Sequence, residues 1–154
     1  MKKEYVVCIC IREYEKILFI EKNRPEWCAG RLNFPGGSIE KGESPEEAAI
    51  RELKEESGLD AIYAQVVGTV ECPDSLIYCV LLRPSYGAWS EIHDKIVPAL
   101  GETEKVLWMA ISTALRDKRI LSNLKVIIPM CLNEIYGFKI IHETFSENEF
   151  KVII

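Results

Sequence analysis

The sequence lacks any segment that fits a signal peptide or a membrane span. Its charged start, Met1-Lys2-Lys3-Glu4, leads into an apolar stretch, residues 5–11, that is too short to cross a bilayer. Internal repeats, low-complexity tracts and linkers are also missing. These absences argue against a membrane or secreted protein, and we expect a cytoplasmic chain with no membrane partner.

Paired cysteines are absent as well. None of the six cysteines stands in a CxxC pair, and no group of cysteines and histidines has the spacing of a zinc site. We therefore expect reduced, mostly buried thiols, with a disulfide framework as the less favoured alternative.

Basic residues are too few for a nucleic-acid-binding face. Lys and Arg number 19 against 24 Asp and Glu, which gives a net charge of −5. This balance argues against binding of nucleic acid polymers, which depends on a basic surface. It still permits a small anionic substrate, because a bound divalent cation can supply the missing positive charge.

The residues that are present fit one domain, residues 1–154, since 48% are apolar and 28% are charged. Strand-like runs alternate with helical segments, which predicts an α/β fold with a mixed sheet covered by helices. The expected strands are 5–11, 16–21, 31–34, 61–71, 76–83, 105–109 and 138–142, and the expected helices are 44–58 and 121–136. We expect the long stretch 84–103 to be a lid, a binding loop or an oligomer contact, and the last would allow a homodimer.

The helix at residues 44–58 carries the clearest signals. Ser44 fits its N-cap, Pro45 its first position, and Glu47 completes a capping box with Ser44. Gly58 fits the left-handed residue that ends a helix. The apolar stripe expected to face the core consists of Ala49, Ile50 and Leu53.

Three acidic residues of this helix, Glu52, Glu55 and Glu56, have the spacing i, i+3 and i+4 and therefore share one face. Carboxylates packed so closely repel one another, so a positive charge must offset them. A divalent cation with oxygen ligands does so naturally; Mg²⁺ is the default with phosphate substrates, and Mn²⁺ is possible. The alternative is a solvated helix face stabilised by salt bridges.

Residues flanking the acids complete a longer ordered pattern. The backbone at Gly37 can approach a metal or a phosphate closely, and Arg51 can bridge the preceding loop to the helix through Glu43 or Glu47. From Gly37 the chain reads Gly-x5-Glu43-x7-Arg51-Glu52-Leu53-x-Glu55-Glu56-x-Gly58-Leu59. This pattern resembles the Nudix box of the Nudix hydrolase superfamily at every specified position.

The resemblance implies an α/β/α sandwich with a mixed sheet and hydrolysis of a nucleoside diphosphate linked to another group. It implies that Glu52, Glu55, Glu56 and the Gly37 carbonyl bind the metal, and that Arg51 and Glu43 brace the loop against the helix. The general base varies in the family. Glu52 is the first candidate here, and Glu102 or Glu104 from the later loop is the second.

The segment before the box is similar to the Gly-Arg-x-Asn segment of Nudix enzymes that remove oxidised purine nucleotides. The resemblance implies that Asn33 contacts a base; loop capping is the alternative. Asn123, six residues before Pro129, lies near where such enzymes place a second base-reading side chain, although no acid accompanies it; a helix cap is the alternative. Further substrate-binding candidates are Trp27 and Phe34, which could stack on a base or pack in the fold, and Arg24, which could contact phosphate or be solvated.

Three functions are compatible with this pattern. The first is release of a nucleoside monophosphate and pyrophosphate from a (deoxy)nucleoside triphosphate, possibly an oxidised one. The second is hydrolysis of a dinucleoside polyphosphate or a nucleotide sugar. The third is a non-catalytic, nucleotide-sensing domain, which the complete set of acids disfavours.

Overall fold

The chain forms nine strands and three helices in the residues that a computed structural model describes, namely 1–13, 15–21, 23, 26, 29–85 and 104–154. The strands are β1 (Lys3–Arg12), β2 (Lys16–Glu21), β3 (Leu32–Asn33), β4 (Gly36–Ser38), β5 (Ala61–Glu71), β6 (Ser75–Pro84), β7 (Lys105–Ala110), β8 (Phe138–Ile141) and β9 (Lys151–Ile153). The helices are α1 (Pro45–Ser57), α2 (Ile111–Ala114) and α3 (Leu124–Leu132).

The strands form a mixed sheet in the order β3-β2-β1-β6-β5-β8-β9. β1 pairs with β6 and β5 with β8 in parallel, whereas β1–β2 and β5–β6 are antiparallel. β4 pairs with β1, and β7 pairs with β2. The predicted hairpin of β1 and β2 is therefore confirmed.

Helices cover both faces of the sheet. Successive residues of β1 point to opposite sides, so Val6, Cys8 and Cys10 pack in a core cluster with α1, while Ile9 packs in a second cluster with α3. The mixed sheet and its helical layers agree with the predicted α/β/α sandwich. None of the helices in the described ranges has the length and apolar content of a membrane span.

Helix α1 begins and ends where the sequence predicts. The Ser44 hydroxyl accepts from the Glu47 backbone N–H, the Glu47 carboxylate accepts from the Ser44 N–H, and Gly58 has a φ of 75°. The buried stripe differs by one residue. Ile50 is 39% exposed, and Ala48 faces the core beside the correctly predicted Ala49 and Leu53.

Other boundaries depart from the prediction. Helix α3 spans nine residues rather than 121–136, because Glu134 adopts a positive φ of 54° and the Ile135 N–H turns back to the Met130 carbonyl. No element was predicted at the positions of β4, α2 and β9. The five described cysteines are free thiols, four of them buried, as predicted.

Candidate functional site

Strand β4 brings two glycines against α1. The Gly36 N–H donates to Oε1 of Glu56 at 2.9 Å, and Glu56 is buried. A Cβ added to Gly37 would lie only 2.3 Å from Oε1 of Glu52, so the Glu52 carboxylate occupies the space that a side chain would fill. The absence of side chains at Gly36 and Gly37 thus lets two carboxylates of α1 approach the backbone of β4.

Arg51 lies at the centre of the site. Its Nε and Nη2 donate to the two oxygens of Glu43 at 2.8 and 3.0 Å, and Nη2 also donates to the Ser38 carbonyl at 2.9 Å. Its Nη1 contacts Glu52 at 2.8 Å and Glu55 at 3.4 Å. The sequence allowed either Glu43 or Glu47 as the partner of Arg51. In the structure Arg51 contacts Glu43, and Glu47 instead completes the N-cap at Ser44.

These contacts set the charge states of the site. The Arg51 hydrogen bonds lower the pKa of Glu43 and keep its carboxylate ionised. Burial raises the pKa of Glu52, an effect that the hydrogen bond from Arg51 partly offsets. Glu43 raises the pKa of Arg51, whose guanidinium is therefore permanently charged.

The donors of this site fit a hard divalent cation. Carboxylate oxygens and a backbone carbonyl are the ligands that Mg²⁺ prefers, and the Glu52 carboxylate lies against the backbone of Gly37, where a side chain would otherwise stand. In the described residues no three acidic, His or Cys side chains converge as a ready-made metal site. Arg51 holds Glu52 and Glu55, and the Gly36 N–H holds Glu56.

Two candidates for base recognition, Phe34 and Asn33, make contacts within the fold. Phe34 is 2% exposed and stacks on Phe19 with ring centroids 5.7 Å apart, so the expectation that it stacks on a base is corrected: it packs in the core. Asn33 is half-buried and accepts a hydrogen bond from the Phe34 N–H at 2.8 Å, as a loop-capping residue does. Its side-chain oxygen is thus engaged by the backbone.

Asn123 precedes α3, but its side chain makes no capping hydrogen bond. Its Nδ2 lies 3.3 Å from Nε2 of His142, and its Oδ1 is buried without a partner. His142 and the segment that follows it were not predicted as part of any site. No local motif marks them, because they reach Asn123 only through the tertiary fold.

The remaining candidates lie at or beyond the described ranges. Arg24, Trp27 and Glu102 are outside the described residues, as is all of the stretch 84–103 except Pro84 and Ser85. Glu104 stands just before β7, where its Oε1 accepts from the Asn23 N–H at 3.5 Å.

Comparison with known proteins gives one family for most of the chain. The family model of the NUDIX domain matches residues 1–129. An 8-oxo-dGTP diphosphatase of Escherichia coli is 43% identical over 60 residues, which is 38% of this chain and 46% of that protein. An ADP-ribose pyrophosphatase of Methanocaldococcus jannaschii is 43% identical over 65 residues, which is 42% of this chain and 37% of that protein.

A solved structure shares the fold over nearly the whole chain. The MutT protein from Bacillus halodurans superposes with a TM-score of 0.72 and covers 97% of both chains at 17% identity. This likeness confirms the predicted sandwich. The two curated relatives are matched over less than half of their length, and their printed activities differ.

Proposed function

The chain belongs to the Nudix family, and from this premise we propose that it is a metal-dependent hydrolase of a nucleoside diphosphate linked to another group. The observation that carries the proposal is the packing of Glu52 and Glu56 against Gly37 and Gly36. That contact joins the acidic face of α1 to the two glycines of β4. A phosphate chain can approach such a surface closely.

In this proposal Glu52, Glu55, Glu56 and the Gly37 carbonyl hold Mg²⁺, with Mn²⁺ as a substitute. The bound cation would neutralise the anionic pyrophosphate link and favour in-line attack by water. A hydrogen bond from the Gly36 N–H holds the Glu56 carboxylate in position, whereas the Glu55 side chain is 54% exposed and can turn toward a ligand. The site therefore combines one fixed carboxylate with one adjustable carboxylate.

The proposed general base is Glu52. Its carboxylate is partly buried beside the Gly37 backbone, and Arg51 Nη1 holds its orientation through a 2.8 Å hydrogen bond, so it is placed to accept a proton from a water at the site. Glu104 and Glu102 are the alternatives. Arg51 itself is proposed as a positioning residue, because its guanidinium joins Glu43, the Ser38 carbonyl and Glu52.

The first proposed substrate class is a (deoxy)nucleoside triphosphate, possibly oxidised, cleaved to a monophosphate and pyrophosphate. A dinucleoside polyphosphate or a nucleotide sugar is the alternative, supported by the relative named as an ADP-ribose pyrophosphatase. A non-catalytic nucleotide sensor is less favoured because all the box acids are present. The acidic charge supports a small nucleotide rather than a polymer as partner.

A substrate panel with Mg²⁺ tests the proposal. Nucleoside triphosphates, a dinucleoside polyphosphate and a nucleotide sugar are incubated separately, and the products are identified by chromatography. We expect Glu56→Gln to abolish turnover and leave the fold intact, because glutamine can still accept from the Gly36 N–H but carries no charge. Glu46→Gln makes the same charge change in the first turn of α1 and should remain active.

Absence of metal-dependent turnover on every member of the panel would remove the enzyme proposal. Near wild-type activity of Glu56→Gln with excess Mg²⁺ would instead remove this carboxylate from the site.

A further inference from the structure

Strand β5 has an open edge along its first half. The strand pairs with β6 over its whole length, but β8 pairs only with residues 68–71, and the Gly137 N–H donates to the Val67 carbonyl where that pairing begins. In the described part of the chain, no strand pairs with residues 61–66 on the side away from β6. An open edge of this kind presents backbone N–H and C=O groups with which another extended chain can pair.

The central part of this edge lacks the features that usually prevent pairing. Irregularities of the ladder with β6 occur at Ile62 and at Val67, and they bound a regular stretch, residues 63–66. That stretch contains neither a proline nor a charged side chain, the two residue classes with which proteins commonly protect edge strands. Its backbone is therefore available to a short partner strand.

An apolar pocket of about 260 Å³ adjoins the open edge. Side chains from β1, β5, β6 and the end of α3 form it, and its apolar lining includes Ile11, Ile62, Leu81, Leu132 and Tyr136. Ile62 is 61% exposed, and Leu132 and Tyr136 are also exposed, so these apolar groups are accessible to a partner. The pocket is smaller than the range of about 300–1,000 Å³ that is typical of small-molecule sites, and it therefore suits one inserted side chain better than a complete ligand.

The charged groups of the pocket favour a basic partner. Glu13 and Glu134 both line the pocket and are exposed, and neither carboxylate forms an ion pair with any described residue. Among the described lining residues Arg83 is the one cation, and its guanidinium lies over the Tyr63 ring, 5.7 Å from the ring centroid. Two carboxylates and one guanidinium leave an excess of negative charge beside the apolar surface.

We propose that the open edge of β5 and the adjoining pocket bind an extended segment of a partner protein, in which a large apolar residue and a Lys or Arg stand two positions apart. Pairing with the backbone of residues 63–66 provides a strand-addition contact. Side chains two positions apart in a strand point to the same face, so the apolar group enters the pocket while the cation meets Glu13 and Glu134. None of these groups belongs to the acidic face of α1, and the inference is therefore independent of the proposed hydrolysis.

A second copy of this chain fits the surface less well than a basic segment. Two copies joined at this edge would bring the carboxylates of both pockets into one interface, and each chain carries a net charge of −5. Like charges brought together in this way oppose association, whereas the same field attracts a basic segment. The charge of the surface therefore selects a partner of a different sequence.

Binding of synthetic peptides to the full chain tests the proposal. The probe is the fluorescently labelled peptide acetyl-STVTLTKTS-amide, whose valine, leucine and lysine share one face of a strand, and binding is followed by fluorescence polarisation. The control peptide carries glutamate in place of the lysine. We expect the lysine peptide to bind about tenfold or more tightly than the glutamate peptide, because the latter brings a like charge to Glu13 and Glu134.

Two pairs of protein variants locate the binding surface. The double variant Glu13→Gln/Glu134→Gln should lose the preference for the lysine peptide, whereas Glu46→Gln/Glu149→Gln, which removes the same charge elsewhere, should keep it. Ile62→Lys should abolish binding, and Ile153→Lys, at an exposed isoleucine of β9, should not. Thermal melts establish that all four variants are folded.

Amide hydrogen exchange distinguishes strand addition from unspecific adhesion. The bound lysine peptide should slow exchange in residues 61–67 and leave the exchange of β9 unchanged. Equal binding of the two peptides, or unchanged exchange in residues 61–67, would overturn the proposal. So would a dimer of the protein, detected by sedimentation and abolished by Ile62→Lys, because a second copy would then occupy the edge.

Discussion

Gly37→Ala should damage the active site while sparing the fold. The new Cβ would lie 2.3 Å from Oε1 and 2.4 Å from Cδ of Glu52, whereas ordinary contact begins near 3.4 Å. The carboxylate must therefore move by about 1 Å. A shift of that size breaks the 2.8 Å hydrogen bond from Arg51 Nη1 to Glu52.

The expected loss of activity is large because catalytic groups tolerate little displacement. A misplacement of about 1 Å costs roughly 100-fold in rate. The loss of stability should be small, about 1 kcal/mol, because the obstructing atoms are the end of a flexible side chain. For a domain of this size we expect the Tm to fall by about 2–4 °C.

Gly36→Ala is the matched comparison. Its Cβ would lie 2.1 Å from the Val6 carbonyl oxygen, a backbone atom of β1 that pairing with β4 holds in place. We expect this variant to lose about 3 kcal/mol of stability. The two variants thus add the same methyl group at adjacent positions, but Gly37→Ala should mainly lower activity and Gly36→Ala should mainly lower stability.

Two measurements test this prediction. Product release from the best substrate of the panel is followed in the presence of Mg²⁺, and the Tm of both variants is measured by thermal melts. Wild-type activity of a folded Gly37→Ala protein would refute the assignment of Glu52 to the site. Parallel losses of stability in the two variants would refute the distinction between side-chain and backbone obstruction.

Three further predictions address the charges of the protein. Arg51→Lys should lower the Tm by about 2–4 °C and the kcat/KM about tenfold or more, because a lysine cannot contact both oxygens of Glu43 at once. Restored activity at high Mg²⁺ would contradict a positioning role of Arg51. Glu52→Gln should lower kcat at least about 100-fold and Glu104→Gln far less, as expected for the loss of a general base; the reverse order would make Glu104 the base. Asp117→Asn should lower the Tm at pH 7 by about 2–4 °C, because Arg119 lowers the pKa of Asp117 and the ionised form stabilises the fold. The difference in Tm between wild type and variant should vanish as the pH falls through that lowered pKa. An unchanged difference in Tm at pH 2 would disprove a stabilising role of the Asp117 charge.

Local signals explain why the strands and the first helix were predictable. The caps of α1 depend on Ser44, Glu47 and Gly58, all within the helix or next to it, so spacing along the chain was sufficient. The bidentate pair of Arg51 and Glu43 was predictable for the same reason. Their separation of eight residues spans one loop and two helical turns.

Contacts between distant segments were not predictable. The sequence left open whether Phe34 stacks on a base or packs in the fold, because its stacking partner Phe19 belongs to β2. The surroundings of Asn123 depend on His142 and the segment after it. No periodicity or motif in one region reports which distant region will cover it.

In the folded protein Arg51 contributes one positive charge to the acidic site. Repulsion among three glutamates seemed to require a cation, but Arg51 contacts two of them and a backbone N–H holds the third. One guanidinium cannot neutralise Glu43, Glu52 and Glu55 together, so an excess of negative charge remains for a divalent cation to offset. The shape of the site also favours a metal, because a salt-bridged surface helix has no need of a glycine whose missing side chain leaves room for Glu52, or of a buried Glu56. Binding of Mg²⁺ must then draw Glu52 and Glu55 partly away from Arg51, so the apparent affinity for the metal includes the cost of loosening those ion pairs.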